Sequence, residues 1–153
     1  MNSTPTASNG PTIVGQTILV VEDDSAILRL VEIILAKGHY EVLSANSADE
    51  GLRIGTNFPR PIDLLLSDVV MPHMTGPNLA AKLKELRPDM RVMLMSGYPD
   101  GALLILNYGW HFINKPFVAK VLLERVQSIL TTTTPEQGMD QFDTRQEQQG
   151  TVR

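Results

Sequence analysis

Ile18-Leu19-Val20-Val21-Glu22-Asp23-Asp24 is the stretch that decides the fold. Its apolar half reads as a short buried strand, and the acidic triplet follows without a spacer. A second run, Leu64-Leu65-Leu66-Ser67, ends in the same way on Asp68. Two buried strands that both finish in carboxylates can bring those carboxylates together at one edge of a sheet. Crowded carboxylates repel one another unless something positive lies between them, and a hard divalent cation is the economical answer.

Outward from these two strands the chain alternates strand and helix signals. Thr17–Glu22 is the first strand, and Ile27, Leu30, Val31, Ile34 and Leu35 recur at helical spacing up to Gly38, placed to serve as the C′ residue. Tyr40–Ser44 reads as a second strand. Ser47-Ala48-Asp49-Glu50 fits a capping box opening a second helix, which Pro59 and Pro61 close. Ile62–Ser67 is a third strand, apolar in its centre and therefore buried on both faces. A loop from Val69 to Gly76 leads to a helix around Leu79, Leu83 and Leu86 that stops at Pro88. Arg91–Met95 is a fourth strand, residues 100–109 a short helix and His111–Asn114 a fifth strand. Pro116–Leu130 is a last helix, with Val118, Val121, Leu122, Val126 and Ile129 on its buried side. Five β–α units in strict alternation predict an α/β fold, a doubly wound parallel sheet covered by helices on both faces.

Composition narrows the function. The chain has 153 residues, 42% of them hydrophobic, enough for one domain with a genuine core. A net charge of −4 argues against nucleic acid as a direct ligand. There is no cysteine, so disulfides and thiolate metal sites are excluded. No apolar stretch approaches the roughly 20 residues that span a bilayer, and the polar N-terminus lacks the core of a signal peptide. The expectation is a cytoplasmic protein without membrane contact. Residues 1–15 read as a flexible tail, 16–130 as the domain and 131–153 as a polar, disordered tail.

In doubly wound sheets, ligands gather beyond the carboxyl ends of the strands. There the sequence places Glu22, Asp23, Asp68, Ser96 and Lys115. Taken singly, each has a bland reading: acidic residues after strands are usually loop residues or N-caps, and Asp24 or Ser25 suits that role. Lys115-Pro116 and Ser96-Gly97 taken alone are turns. Together they are specific, because four strands must end in complementary groups. Asp23 and Asp68, with Glu22 through water, supply oxygen ligands for Mg²⁺, with Mn²⁺ as an alternative. Lys115 pairs first with a carboxylate and later with a phosphoryl oxygen, and Ser96 donates a hydroxyl to that oxygen. Asp68 ends a rigid central strand and can serve as a carboxylate nucleophile towards phosphorus.

The stretches ILVVEDDSAILRLVEIIL (18–35), DLLLSDVVMPHMTGPNLA (63–80), RVMLMSGY (91–98) and FINKPF (112–117) resemble the receiver domain of two-component response regulators. The resemblance covers roughly residues 16–130 and implies a flavodoxin-like sheet of order 2-1-3-4-5. It implies a phospho-acceptor signalling domain rather than an enzyme, with phosphate passing from a kinase phosphohistidine to Asp68. Asp23 and Asp68 match the direct metal ligands, the backbone carbonyl of Val70 the third, and Glu22 the outer acidic residue. Ser96 and Phe112 match the switch pair, and Lys115 the family's lysine, with a cis peptide before Pro116. Val70 and Tyr98 match the side chains that shield the phosphoryl group. Met95-Ser96-Gly97-Tyr98-Pro99 is similar to receivers attached to, or partnered with, hybrid histidine kinases. The span from Ser96 to Lys115 is about three residues shorter than the family's usual one, which implies a truncated or irregular helix there.

The partners so implied are a sensor histidine kinase or phosphotransfer protein and a downstream protein, with a homodimer as a further mode of assembly. The sequence carries no second globular segment after Leu130, so the expectation is a stand-alone receiver or one excised from a hybrid kinase, without a DNA-binding domain. A flavin or nucleotide binder would need a Gly- or Ser/Thr-rich loop after the first strand, where this chain has Glu-Asp-Asp. A metal-dependent phosphohydrolase would want an acid or base two residues after its nucleophile, and that position is Val70. A binding module that has lost phosphorylation would lack part of the chemical set, whereas all of it is present. His39, His73 and His111 show no metal-ligand spacing and are expected on surface or loops.

Overall fold

The computed structural model describes residues 15–97 and 109–132. Its elements in chain order are β1 Thr17–Val21, α1 Ser25–Lys37, β2 Glu41–Ala45, α2 Ala48–Asn57, β3 Leu64–Asp68, α3 Gly76–Leu86, β4 Arg91–Ser96, β5 His111–Asn114 and α4 Ala119–Thr131. The five strands are all parallel in the order β2-β1-β3-β4-β5, the doubly wound arrangement expected. The short helix expected over 100–109 and the two tails fall almost wholly outside the described residues. Among the described residues no helix is long and apolar enough to cross a membrane.

The period-two alternation of the strands divides the core into two layers. Ile18, Val20, Leu64, Leu66, Met93 and Met95 pack under α1 and α4, against Val31, Leu35, Leu122 and Val126. Leu19, Val21, Leu65, Val92 and Leu94 face α2 and α3, against Ala48, Leu79 and Leu83. Leu64, Leu65 and Leu66 are all fully buried, as a central strand covered on both faces requires.

Helix starts follow the local chemistry. Asp24 caps α1, its Oδ1 accepting from the Ala26 and Ile27 amides at 2.9 and 3.1 Å. Ser47 caps α2 through the Glu50 amide at 3.1 Å. The return bond of the capping box goes from the Asn46 amide to Glu50 Oε1 at 2.9 Å, one residue before the cap.

Several expectations change. Gly38 has φ −84°, so it is the C-cap rather than C′, and His39 takes the left-handed position at φ 69°. The His39 and Tyr40 amides donate to the Ala36 and Leu35 carbonyls at 3.0 and 3.3 Å, completing a Schellman ending. Glycine at 38 answers to packing instead: a Cβ there would lie 2.8 Å from Leu123 Cδ2. The last helix begins at Ala119 rather than Pro116, so Val118 precedes its first turn, 64% exposed. The buried stripe runs through Leu122, Val126, Ile129 and Leu130, which turns Val121 out to 41% exposure. Leu86, in the last turn of α3, is also exposed. β1 and β3 sit within two residues of their expected bounds, with β3 running on to include Asp68.

His111 is not a surface loop residue. It opens β5, half-buried, and burial lowers its pKa, helped by the charges of Arg125 and Arg91. A histidine with a folded pKa below its unfolded value stabilises the fold fully above the unfolded value and loses that contribution as pH falls through the folded one. Stability should therefore fall between about pH 7 and about pH 5. His111→Gln should lose less over that interval, measured as urea midpoints at both ends. Equal losses in the two proteins would show that His111 is not the group responsible.

Candidate metal centre

β1 ends at Val21, yet the Glu22 amide still donates to the Ala45 carbonyl of β2 at 3.1 Å. That bond holds Glu22 against the sheet, where it is 1% exposed. Its Oε1 accepts from Lys115 Nζ at 2.7 Å and its Oε2 from the Asp24 amide at 3.1 Å. Asp23 is exposed at the mouth of the same cluster, and Asp24 is committed to the helix cap. One acidic triplet thus serves three different purposes.

Asp68 closes β3 opposite Met95, and the next amide, Val69, donates to the Met95 carbonyl at 3.0 Å. Ser96 closes β4 at 2% exposure, paired with Asn114 of β5. The Lys115 amide donates to the Ser96 carbonyl at 2.8 Å, and the Lys115–Pro116 peptide is cis. From this anchor the Lys115 side chain reaches across two strands, to Glu22 and to Asp68 Oδ2 at 3.3 Å.

Oxygens of Glu22, Asp23 and Asp68 all lie within 4.8 Å of one another. Burial pushes the Glu22 carboxyl up from its ordinary value; its bonds to Lys115 and the Asp24 amide pull it down, and the charge of Asp68 adds to the rise. Burial acts to lower the Lys115 ammonium, but the bond to Glu22 and the charges of Asp68 and Glu22 outweigh it, so its pKa is raised. With all groups ionised, three carboxylates share one ammonium. That residual negative charge and the all-oxygen donor set fit a hard divalent cation, with Asp23 and Asp68 facing the more open side.

The structure therefore brings Glu22, Asp23, Asp68, Ser96 and Lys115 to one rim. Val70 stands in the following loop with 55% exposure. Phe112 is half-buried on β5, and its carbonyl accepts from Arg125 Nη2. Tyr98 lies outside the described residues. His39 and His73 are exposed at positive φ, away from metal-ligand duty. Ser67 has no role in the sequence reading, yet its buried hydroxyl donates to the Asp68 carbonyl at 2.9 Å. The available signal was a lone hydroxyl within a run of leucines.

Residues 18–127 match the response regulator receiver domain model. Sensor kinase CckA of Brucella abortus (strain 2308) is 36% identical over 118 residues, which span 74% of this chain and 12% of that protein. Response regulator receiver protein CpdR of the same organism is 32% identical over 74% of this chain and 95% of its own length. Among solved structures, the receiver domain from hybrid histidine kinase CckA is 37% identical, with TM-score 0.66 over 75% of this chain and 99% of that one. A CheY-like receiver from Methanospirillum hungatei JF-1 is 36% identical, with TM-score 0.69 over 76% and 94%. The chain spans 12% and 27% of the first two curated relatives, CckA and the transcriptional regulatory protein GlrR of Escherichia coli (strain K12). The chain belongs to the response regulator receiver family, and its sheet is of the flavodoxin-like kind found in CheY-like receivers.

Proposed function

We propose that this domain accepts a phosphoryl group from a histidine kinase or phosphotransfer protein onto Asp68, and that the event changes its contacts with a downstream protein partner in the cytoplasm. The observation that carries the reading is the position of Lys115 Nζ, 2.7 Å from Glu22 and 3.3 Å from Asp68 beside a third carboxylate. Asp23, Asp68 and the Val70 carbonyl would hold Mg²⁺, with Glu22 acting through water. The ion would neutralise charge on the phosphoryl oxygens. An Asp68 carboxylate oxygen attacks phosphorus, the P–N bond to the donor imidazole breaks, and the released nitrogen keeps the electron pair and takes a proton. Lys115 binds a phosphoryl oxygen once Asp68 has become an acyl phosphate, and Ser96 donates to another. Phe112 completes the switch by following Ser96 inward. Labelling with acetyl phosphate, with and without Mg²⁺, tests the whole scheme; labelling that ignores Mg²⁺ counts against it.

Asp23→Asn should weaken Mg²⁺ binding by at least roughly tenfold. It should also raise the melting temperature of the metal-free protein, because one of three crowded carboxylates is gone. Thermal unfolding with and without Mg²⁺ reads both effects. A metal-dependent shift equal to that of the wild type would remove Asp23 from the ligand set.

The lifetime of the acyl phosphate should depend on Val70. Hydrolysis needs a water in line with phosphorus, and the exposed Val70 side chain has no group to orient it. Val70→Asn or Val70→Glu should speed dephosphorylation about tenfold, the effect of ~1.4 kcal/mol gained in the transition state. Tyr98 is proposed to cover the same approach. Phosphate release after donor removal gives the rates, and slower decay in the Val70 variants would contradict shielding.

A further inference from the structure

We propose that Ser67 is a positioning residue for this site, acting through the loop between β3 and α3; the inference rests on the function proposed above. Ser67 is fully buried in β3. By alternation it shares the face of Leu65, towards α2 and α3, where an alanine or valine would pack without a polar atom. A buried hydroxyl is costly unless bonded, and this one donates to the carbonyl of Asp68 at 2.9 Å.

Gly76, the first residue of α3, packs against the same carbonyl, close beside the Ser67 hydroxyl. A Cβ on Gly76 would lie 2.1 Å from the Asp68 oxygen and 3.2 Å from Ser67 Oγ. The Gly76 amide also donates to the Val69 carbonyl at 2.8 Å. The two ends of the loop therefore meet at two successive peptide groups, Asp68–Val69 and Val69–Val70. Inside the loop the Met74 amide bonds the Pro72 carbonyl at 2.8 Å around His73, whose φ is 72°. With its ends fixed and its tip turned so tightly, the loop has little freedom left. The Asp68–Val69 plane sets the direction in which the Asp68 side chain leaves the strand, and it starts the path of the chain to the Val70 carbonyl, two peptides further. Ser67 touches neither metal nor phosphoryl group; it aims the residues that do.

Ser67→Ala removes the hydroxyl and little volume. Its Mg²⁺ dissociation constant, by calorimetry, should rise about fivefold, and acetyl phosphate labelling at saturating Mg²⁺ should slow to a similar degree. Ser67→Thr keeps the donor and should stay within about twofold of wild type in both. Val126→Ala, in the opposite core layer, is a control for lost stability and should leave both quantities unchanged. If Ser67→Ala lowers the melting temperature as the control does, yet binds and labels like wild type, the residue is merely structural and the proposal is overturned. Should that variant fail to fold, Gly76→Ala displaces the same carbonyl, and wild-type Mg²⁺ affinity there overturns the proposal equally. A wild-type protein that neither binds Mg²⁺ nor takes label overturns the site reading itself, and this inference with it.

Discussion

Asp68→Asn is expected to take no label from acetyl phosphate or from a phosphorylated kinase, while remaining folded. The reasoning is one of elimination among the acidic groups at the rim. Glu22 has both oxygens occupied, by Lys115 at 2.7 Å and the Asp24 amide at 3.1 Å, and is too deeply buried for a phosphodonor to approach. Asp24 holds two amides of α1. Asp23 is exposed, but it leaves from the loop after β1 rather than from the central strand. Asp68 alone combines a rigid strand end, some access to solvent and a cation 3.3 Å away. Asparagine has nearly the same shape and no nucleophilic carboxylate, so labelling should drop at least ~10³-fold, to background. Intact-mass spectrometry after incubation with donor reads the result directly. A singly phosphorylated Asp68→Asn protein would refute the assignment and point to Asp23.

Lys115→Ala should disable the site and also unsettle the fold. Sequence alone gives a lysine at a sheet's edge little weight in folding. The structure shows it as the counter-charge of a carboxylate that is 1% exposed, with its own side chain only 17% exposed. Removing one partner of a fully buried pair costs roughly 3–5 kcal/mol. Because Lys115 keeps some contact with solvent, about 2 kcal/mol is the expected loss near neutral pH. The sign with pH is definite. Burial already raises the Glu22 pKa, and loss of Lys115 raises it further. A raised carboxyl favours the fold below its unfolded value and ceases to do so as pH climbs through the folded one. The variant should therefore be most destabilised at neutral pH and recover on acidification as Glu22 protonates. Adding Glu22→Gln should restore much of the stability but none of the phosphorylation. Denaturant midpoints across pH for single and double variants decide it; a pH-independent loss would mean that the Lys115 stem, not its charge, supports the fold.

These cases show where the sequence was legible. The strands were readable because Leu19-Val20 and Leu65-Leu66 sit in short, unbroken apolar runs, and run length is a local property; successive residues in each run face opposite layers. The rim was readable because the strand ends follow from the strands. The division of duties within Glu22, Asp23 and Asp24 was not, since it is decided by Lys115, 93 residues away in the chain. The exposure of Val118 and Val121 was hidden for a related reason: all the valines and leucines of that helix look alike until the sheet selects a stripe. Gly38 misled because a glycine near a helix end has two uses. Here the missing Cβ leaves room for the side chains of Leu123 and Tyr40, and His39 accepted the left-handed backbone.

The two core layers described for the sheet carry a consequence for engineering this domain. Side chains such as Leu83 and Val126 lie on opposite sides of a sheet and share no neighbours. Energetic effects of substitutions in separate layers should sum, whereas pairs within one layer should couple. Stabilising changes could then be developed independently on each side and combined without re-optimisation. The exception is the carboxyl end of the central strand, where Ser67 in one layer and Asp68 in the other are joined through a single peptide group. There the two layers cease to be separate, and changes made on one side will be felt on the other.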